Sequence, residues 1–294
     1  MTVTTMDETN EEKKTGELPE NEGNVITLVG EKSQLSEEVE RKGCEEILAA
    51  LNEDEKSRLS DEHMALRHLR AEKGDAKLAI KKLKKALQWR KEFGVDKIKN
   101  AFSKNGDQEM RSVMTLENET GKCYVRGYDK EGRAVFYMRP VLENTKEEIN
   151  QMRQLVYHVE RAIACTARKS GLEKFNIVID YKGFRLRDAP PMSTSKHTLE
   201  ILQDYYPERL HRAYMFNPPF IFRTFWNLIK AFVDPVTKQK IVFCHGKAGL
   251  VEMADKFDMS TVEDFTGGTA GELRAFDSQE YLASTPFDHT FDEA

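Results

Sequence analysis

A chain of 294 residues with 39% apolar and 32% charged residues supports one large domain or two small ones, with a real core and a helix-rich charged surface. No apolar run approaches the roughly 20 residues of a membrane span, and the acidic start MTVTTMDETNEEKK lacks the apolar stretch of a secretory signal. The net charge of −5 is unevenly placed: residues 1–30 hold seven acids and two bases, residues 252–294 eleven acids and two bases, and the middle 41 bases and 32 acids. A basic body between acidic ends suits contact with anionic lipid, phosphate or nucleic acid; if the ends are merely solvated tails, they carry no such meaning. Cys44, Cys123, Cys165 and Cys244 show no CxxC spacing, which favours reduced thiols in an intracellular protein over a disulfide framework or a zinc site.

Residues 1–35 are acidic and poor in aromatics, and read as a disordered tail. From Ser36 to about Arg58 a helical pattern appears (Val39, Ile47, Leu48, Leu51). Ser60 is placed to cap a second helix through Met64, Leu66 and Leu69 that stops at Gly74. Asp75 is placed to cap a third, with Leu78, Leu83 and Leu87 on its apolar face and Gly94 beyond its end. Together 36–117 form an all-helical lobe. After about residue 118 the period changes. CYVRGYD (123–129) and AVFYMRP (134–140) flank Lys130-Glu131-Gly132, a hairpin signal. Residues 145–169 are helical, with Ile149, Met152, Val156, Val159 and Ile163 at helical spacing. FNIVID (175–180) is a buried strand. A helix over 194–205, a strand over 213–218, a helix over 219–233 and a strand over 240–246 follow. This alternation predicts an α/β domain over 118–270 with a mainly parallel sheet, and an acidic C-terminal tail over 271–294. No internal repeat is present.

The usual catalytic and binding motifs are missing. No GxSxG elbow marks a serine hydrolase. No cysteine is followed by arginine six positions later, as a cysteine phosphatase loop requires. His245-Gly246-Lys247 lacks the phosphate-loop glycine five residues before Gly246, that position being Ile241. The seven histidines form no HxxxH pair. Gly267, Gly268 and Gly271 read as loop glycines. The lysine-rich helix over 76–93 lacks the interleaved aromatics of a nucleic-acid surface and reads as a solvated face. The expectation is therefore no enzyme, no metal, no cofactor and no nucleic-acid partner.

One helix does not fit an ordinary soluble protein. In PFIFRTFWNLIKAFVDP (219–235) the apolar residues Phe220, Ile221, Phe222, Phe225, Trp226, Leu228, Ile229, Phe232 and Val233 cover most of the circumference. Arg223, Asn227 and Lys230 form one narrow polar stripe. Such a helix is buried or lies in lipid, and at about 15 residues it is too short to span a bilayer. It reads either as a central core helix or as a lid that trades a protein pocket for a membrane surface. Five aromatic rings at ~25 cal/mol per Å² represent at most some 20 kcal/mol of apolar burial, which forbids leaving them all in water.

Asp204-Tyr205-Tyr206-Pro207-Glu208-Arg209-Leu210, then Asn217-Pro218-Pro219, then Asp234-Pro235-Val236-Thr237 with Lys240, resemble the CRAL-TRIO lipid-binding domain. The group they most resemble is the phosphatidylinositol/phosphatidylcholine transfer proteins of the secretory pathway. LRHLRAEKGDAKLA (66–79) is similar to that family's helical lobe, Asp129-Lys130-Glu131-Gly132-Arg133 to its hairpin, and Phe265-Thr266-Gly267-Gly268 to its Phe-Gly-Gly region. The likeness covers about 36–270 in order. It implies a helical lobe followed by a mixed, mainly parallel sheet flanked by helices and closed by a mobile gate helix over 219–232. It implies one lipid per protein, bound as ligand. The headgroup would meet Thr237 and Lys240, assisted by Lys73, with Glu208, Arg209 and Asp129 around them. Phe222, Phe225, Trp226, Ile229 and Phe232 would form the gate and the membrane contact. A lysine ammonium with a threonine hydroxyl is a sensible charge-assisted donor pair for a phosphodiester. The plain alternatives are a strand-start lysine at 240 and a structural ion pair at Glu208 and Arg209.

This chain departs from the family in two places. The family's basic pair is here Glu72-Lys73, followed by Gly74 where an aromatic is usual, which argues against a multiply phosphorylated headgroup. The choline-lipid positions align with Val125, Phe136, Arg185 and Arg187. Two arginines near a pocket wall would repel a quaternary ammonium, so phosphatidylcholine is not expected as the second ligand. The expected function is phosphatidylinositol binding and transfer by a cytoplasmic monomer that visits membrane surfaces as a peripheral protein and carries a second, unidentified lipid. The alternatives are a lipid-sensing regulator of a partner such as a lipid kinase, and a carrier of a sterol, tocopherol or retinoid.

Overall fold

The computed structural model describes residues 33–166, 171–220, 222–270, 276–284 and 286–287. The expected acidic N-terminal tail lies outside the described residues up to position 32, while Leu35 already packs on the core. Six helices build the lobe: α1 (Glu37–Ala49), α2 (Glu53–Lys56), α3 (Met64–Ala71), α4 (Ala76–Phe93), α5 (Val95–Lys99) and α6 (Gln108–Asn118). Ser36 caps α1 as expected. The helix does not run on to Arg58, because Asn52 and Glu55 form a reciprocal capping box that restarts the chain as α2. Nor does Ser60 cap α3. Asp61 takes that corner by accepting the His63 N–H at 3.0 Å. Asp75 does cap α4, and Gly94 closes it in the left-handed region at φ +75°.

The sheet has five strands in the order of the chain: β1 (Cys123–Tyr128), β2 (Ala134–Met138), β3 (Phe175–Asp180), β4 (Leu210–Phe216) and β5 (Ile241–Cys244). β1 and β2 form the antiparallel hairpin, and β2 to β5 run parallel. Parallel neighbours need crossovers. These are α7 (Glu148–Cys165), α8 (Met192–Glu200, continued by a π turn over Ile201–Tyr205), and α9 (Phe222–Ile229) with α10 (Pro235–Gln239). α11 (Gly246–Lys256) follows β5.

Alternation along the strands divides the core. Val125, Phe136, Ile177, Ala213 and Met215 join the apolar cluster that includes α7 and the helical lobe. Tyr124, Val135, Tyr137, Val178 and Tyr214 join the opposite cluster with Met253 and Phe257. The Phe265-Thr266-Gly267-Gly268 segment closes that second side. Gly268 is required there, since a Cβ would stand 2.1 Å from the Val262 carbonyl oxygen.

The C-terminal segment is more than a solvated tail. A short helix over Ser278–Ala283 packs beside α6, and its Tyr281 reaches β1. The Val125 N–H donates to the Tyr281 hydroxyl at 2.8 Å. Arg161 of α7 donates to the Tyr281 and Ser284 carbonyls and lies over the Tyr281 ring. Leu282 is buried. The acidic composition concealed these few apolar anchors. Leu282→Ala should lower stability by about 2–5 kcal/mol in urea unfolding; a change within about 0.5 kcal/mol would mean the segment is not docked in solution.

Candidate functional site

The parallel strands β3 and β4 start beside a buried ionic network. Asp61, just before α3, accepts from both Arg67 and Arg209. Glu173, just before β3, accepts from Arg67 and from His63, and the Arg209 guanidinium also donates to its carbonyl. Burial opposes both carboxylate charges, but the arginines outweigh it. Asp61 is held well below the usual carboxylate range, and Glu173 falls to about 2. Hydrogen bonding to Glu173 raises the His63 pKa. Two arginines and two carboxylates thus clip α3 to the foot of the sheet.

Four of the proposed headgroup residues meet at this edge. Glu208 and Arg209 form the turn into β4, with Glu208 in the left-handed region at φ +58° and paired to Lys174 at 3.0 Å. Arg209 is buried in the network, so its charge is occupied with structure. Thr237 and Lys240 lie on the α10 turn, where the Lys240 N–H donates to the Thr237 carbonyl at 3.0 Å. Lys240 Nζ donates to the Leu210 carbonyl at 3.0 Å, which draws this turn to the Glu208–Leu210 corner. The Thr237 hydroxyl makes no hydrogen bond among the described residues. Lys73 is exposed in the turn after α3, with no ion pair among the described residues, and its N–H donates to Arg70. Arg70 is bound by Glu40, which raises its pKa, and it also feels Glu208 across the gap.

Asp129 is elsewhere. Its carboxylate accepts from Glu131 N–H, Arg133 N–H, the Arg133 guanidinium and Asn176 Nδ2, all within the hairpin and β3. That makes it the organiser of the β1–β2 turn. The contact between the helical lobe and the sheet supplied what sequence reasoning missed. Asp61 and Arg67 are six residues apart, but their partners Glu173 and Arg209 lie more than a hundred residues on, so the set carries no joint spacing signal.

α9 lies across the sheet cluster at the β5 side. Phe222 is buried against Tyr181 at 4.5 Å, and Trp226 meets Phe243 edge-on at 5.9 Å. Ile229 is buried as well. The helix is shorter than expected, ending in a 3-10 turn over Lys230–Phe232. Large apolar side chains are exposed on and beside it: Leu228 of the helix is 56% exposed, Phe220 just before it 87% and Phe232 in the turn after it 45%, with Asn227 and Lys230 exposed among them. The Phe225 side chain lies outside the described residues. No helix among the described residues is long and apolar enough to cross a membrane.

The sequence model of the CRAL/TRIO domain matches residues 118–268. The chain belongs to the CRAL/TRIO domain family. It is 36% identical over 183 residues to the phosphatidylinositol transfer protein PDR17 of Saccharomyces cerevisiae, covering 60% of this chain and 51% of that protein. It is 30% identical over 260 residues to the CRAL-TRIO domain-containing protein YKL091C of the same yeast, covering 83% and 82%. The chain therefore spans about half the length of PDR17 but most of YKL091C. The crystal structure of Sfh5 superposes with a TM-score of 0.61 at 17% identity, covering 88% of this chain and 96% of that one. That likeness concerns the fold, a mixed α/β architecture built on a mostly parallel five-stranded sheet.

Within this CRAL/TRIO fold the charge argument against choline falls. Arg185 and Arg187 are exposed, and both engage Asp188 in a surface turn. Val125 and Phe136 are buried, with Phe136 stacked on His158 at 5.5 Å. The arginines were aligned to the pocket wall, but both stand exposed in this turn.

The ionic network has a pH signature. A depressed Glu173 contributes stability above its ordinary value of 4.5 that is lost as pH falls toward about 2. The raised His63 acts oppositely: its contribution is complete below 6.5 and lost as pH rises through its folded value. Glu173→Gln should cost on the order of 3 kcal/mol at pH 7 and flatten the loss of urea stability between pH 4.5 and about 2. An acid limb as steep as that of the parent protein would show that Glu173 is not charged in the network.

Proposed function

We propose that this CRAL/TRIO protein binds one phospholipid, phosphatidylinositol, and exchanges it at a membrane surface. The acyl chains lie against the apolar sheet face under α9, and the phosphodiester meets Thr237 and Lys240, with Lys73 contributing charge from the lobe. The observation that carries this reading is the division of α9. Phe222 joins the cluster with Trp226 packed against it, while Phe220 just before the helix, Leu228 within it and Phe232 in the turn after it are exposed, so the segment has apolar surface for both a pocket and a bilayer. A helix of this kind partitions into the headgroup boundary, and its Lys230 suits anionic lipid.

The names of relatives support the same ligand class. PDR17 is named a phosphatidylinositol transfer protein. SFH12 of Arabidopsis thaliana, 32% identical over 228 residues, is named a phosphatidylinositol/phosphatidylcholine transfer protein. With the arginines on the surface, phosphatidylcholine becomes the leading second ligand. The role is carriage rather than catalysis, without a cofactor, by a monomer working from the cytoplasm and touching membranes transiently. Glu208 and Arg209 support the site by shaping the corner, and Asp129 by fixing the hairpin.

Vesicle-to-vesicle transfer tests this reading. Lys240→Ala with Lys73→Ala removes charge-assisted contacts worth ~1.5–3 kcal/mol each, so phosphatidylinositol transfer should fall at least roughly tenfold to a hundredfold with little change in melting. Normal transfer by a folded double variant would place the headgroup elsewhere.

A further inference from the structure

We propose that Gln203 is the hinge post of the α9 gate: a positioning residue that ties the gate's C-terminal turn to the helical lobe and so sets the rate of lipid exchange. The inference rests on the gate reading above and deepens it.

α8 does not end as a regular helix. It continues as the π turn over Ile201–Tyr205. π turns are rare and frequent at functional sites, because the extra residue re-aims the side chains that follow. Here three consecutive residues fasten the segment to the body. Asp204 accepts from Lys85 at 3.0 Å. Tyr205 stacks on Trp89 with ring centroids 4.1 Å and planes 7° apart. The Tyr206 hydroxyl donates to Glu160 at 2.7 Å, and Arg90 donates to the same oxygen at 2.7 Å. Lys85, Trp89 and Arg90 belong to α4, and Glu160 to α7.

Gln203 reaches from this fixed segment to the gate. Its Nε2 donates to the Phe232 carbonyl at 3.1 Å, and its Oε1 accepts from the Asp234 N–H at 2.9 Å. Nε2 also lies 3.3 Å from the Leu199 carbonyl of its own helix. Phe232 ends the turn that follows α9. Asp234 caps α10 by accepting from Val236 and Thr237 N–H. One amide therefore grips both sides of the link between the gate and the turn that carries Thr237 and Lys240. Val233, between the two bonds, is buried. The chemistry selects this side chain. A donor and an acceptor are needed two residues apart along the link, and a primary amide supplies both. With the link held, α9 opens about a fixed end while the headgroup turn stays in place. Without it, both ends are loose.

Gln203→Met keeps length and volume but makes neither bond. Gln203→Glu keeps the acceptor for Asp234 and loses the donor to Phe232. Each full-length variant is measured for phosphatidylinositol exchange between vesicles, lipid occupancy at equilibrium, hydrogen exchange over 230–240, and melting. Losing one or two hydrogen bonds should speed exchange roughly fivefold to thirtyfold in Gln203→Met and loosen the link by a similar factor. Occupancy and melting should stay near those of the parent, and Gln203→Glu should fall between. An exchange rate and link protection equal to the parent's overturn the hinge. So does a uniform loss of protection with lowered melting, which marks a merely structural residue. A parent protein that exchanges no lipid defeats the gate reading and the hinge with it, whereas normal exchange by parent and variant alike removes the hinge alone.

Discussion

A helix with more apolar surface than its own fold covers is the constraint around which this protein is arranged. α9 packs Phe222 and Trp226 on the sheet cluster, yet Leu228 within it and Phe220 and Phe232 on its flanks remain outward. At ~25 cal/mol per Å² that outward surface is a standing cost in water and a gain in lipid. Large apolar side chains exposed along one short segment suit an interaction surface. Either side of the helix satisfies it, and the balance between them is what an exchanging lid requires.

A lid that moves needs a frame that does not. The buried set of Asp61, Arg67, Glu173 and Arg209 supplies it at the foot of β3 and β4. Taking four charges from water is costly, and such networks are weak evidence for net stability. Their geometry is demanding, however, and each arginine here satisfies partners from separate parts of the chain. The helical lobe is thereby fixed to the strand ends where Glu208, Lys240 and Thr237 gather. The frame reaches the lid through α4, whose Trp89 stacks on Tyr205 at the end of the π turn.

Much of this was legible in the sequence. The alternation of FNIVID, the 213–218 strand and the 240–246 strand with helices gave the parallel sheet, and each strand lies where its apolar run predicts, within about three residues. Local signals were equally readable: Asp75 and Gly94 end α4 as their chemistry demands. Failures came where a tertiary partner competed with a local one. Asp61 took the corner assigned to Ser60 because two arginines hold it there. The C-terminal segment looked like a solvated tail by charge, while Tyr281 and Leu282 dock it through contacts more than a hundred residues distant. Arg185 and Arg187 were aligned to a pocket wall, but a turn with Asp188 leaves them exposed. α5 and α6 gave too weak a periodicity to be singled out.

The chain contains two tryptophans, one on the gate and one in the lobe, and that permits a direct measurement. In Trp89→Phe, Trp226 is the sole indole, and its fluorescence is followed with vesicles whose acyl chains are brominated. If α9 meets acyl chains, in the pocket or in the bilayer, Trp226 is quenched, while Trp89 in the matching Trp226→Phe variant is not. Equal, negligible quenching of both tryptophans would contradict the account and leave α9 an ordinary core helix.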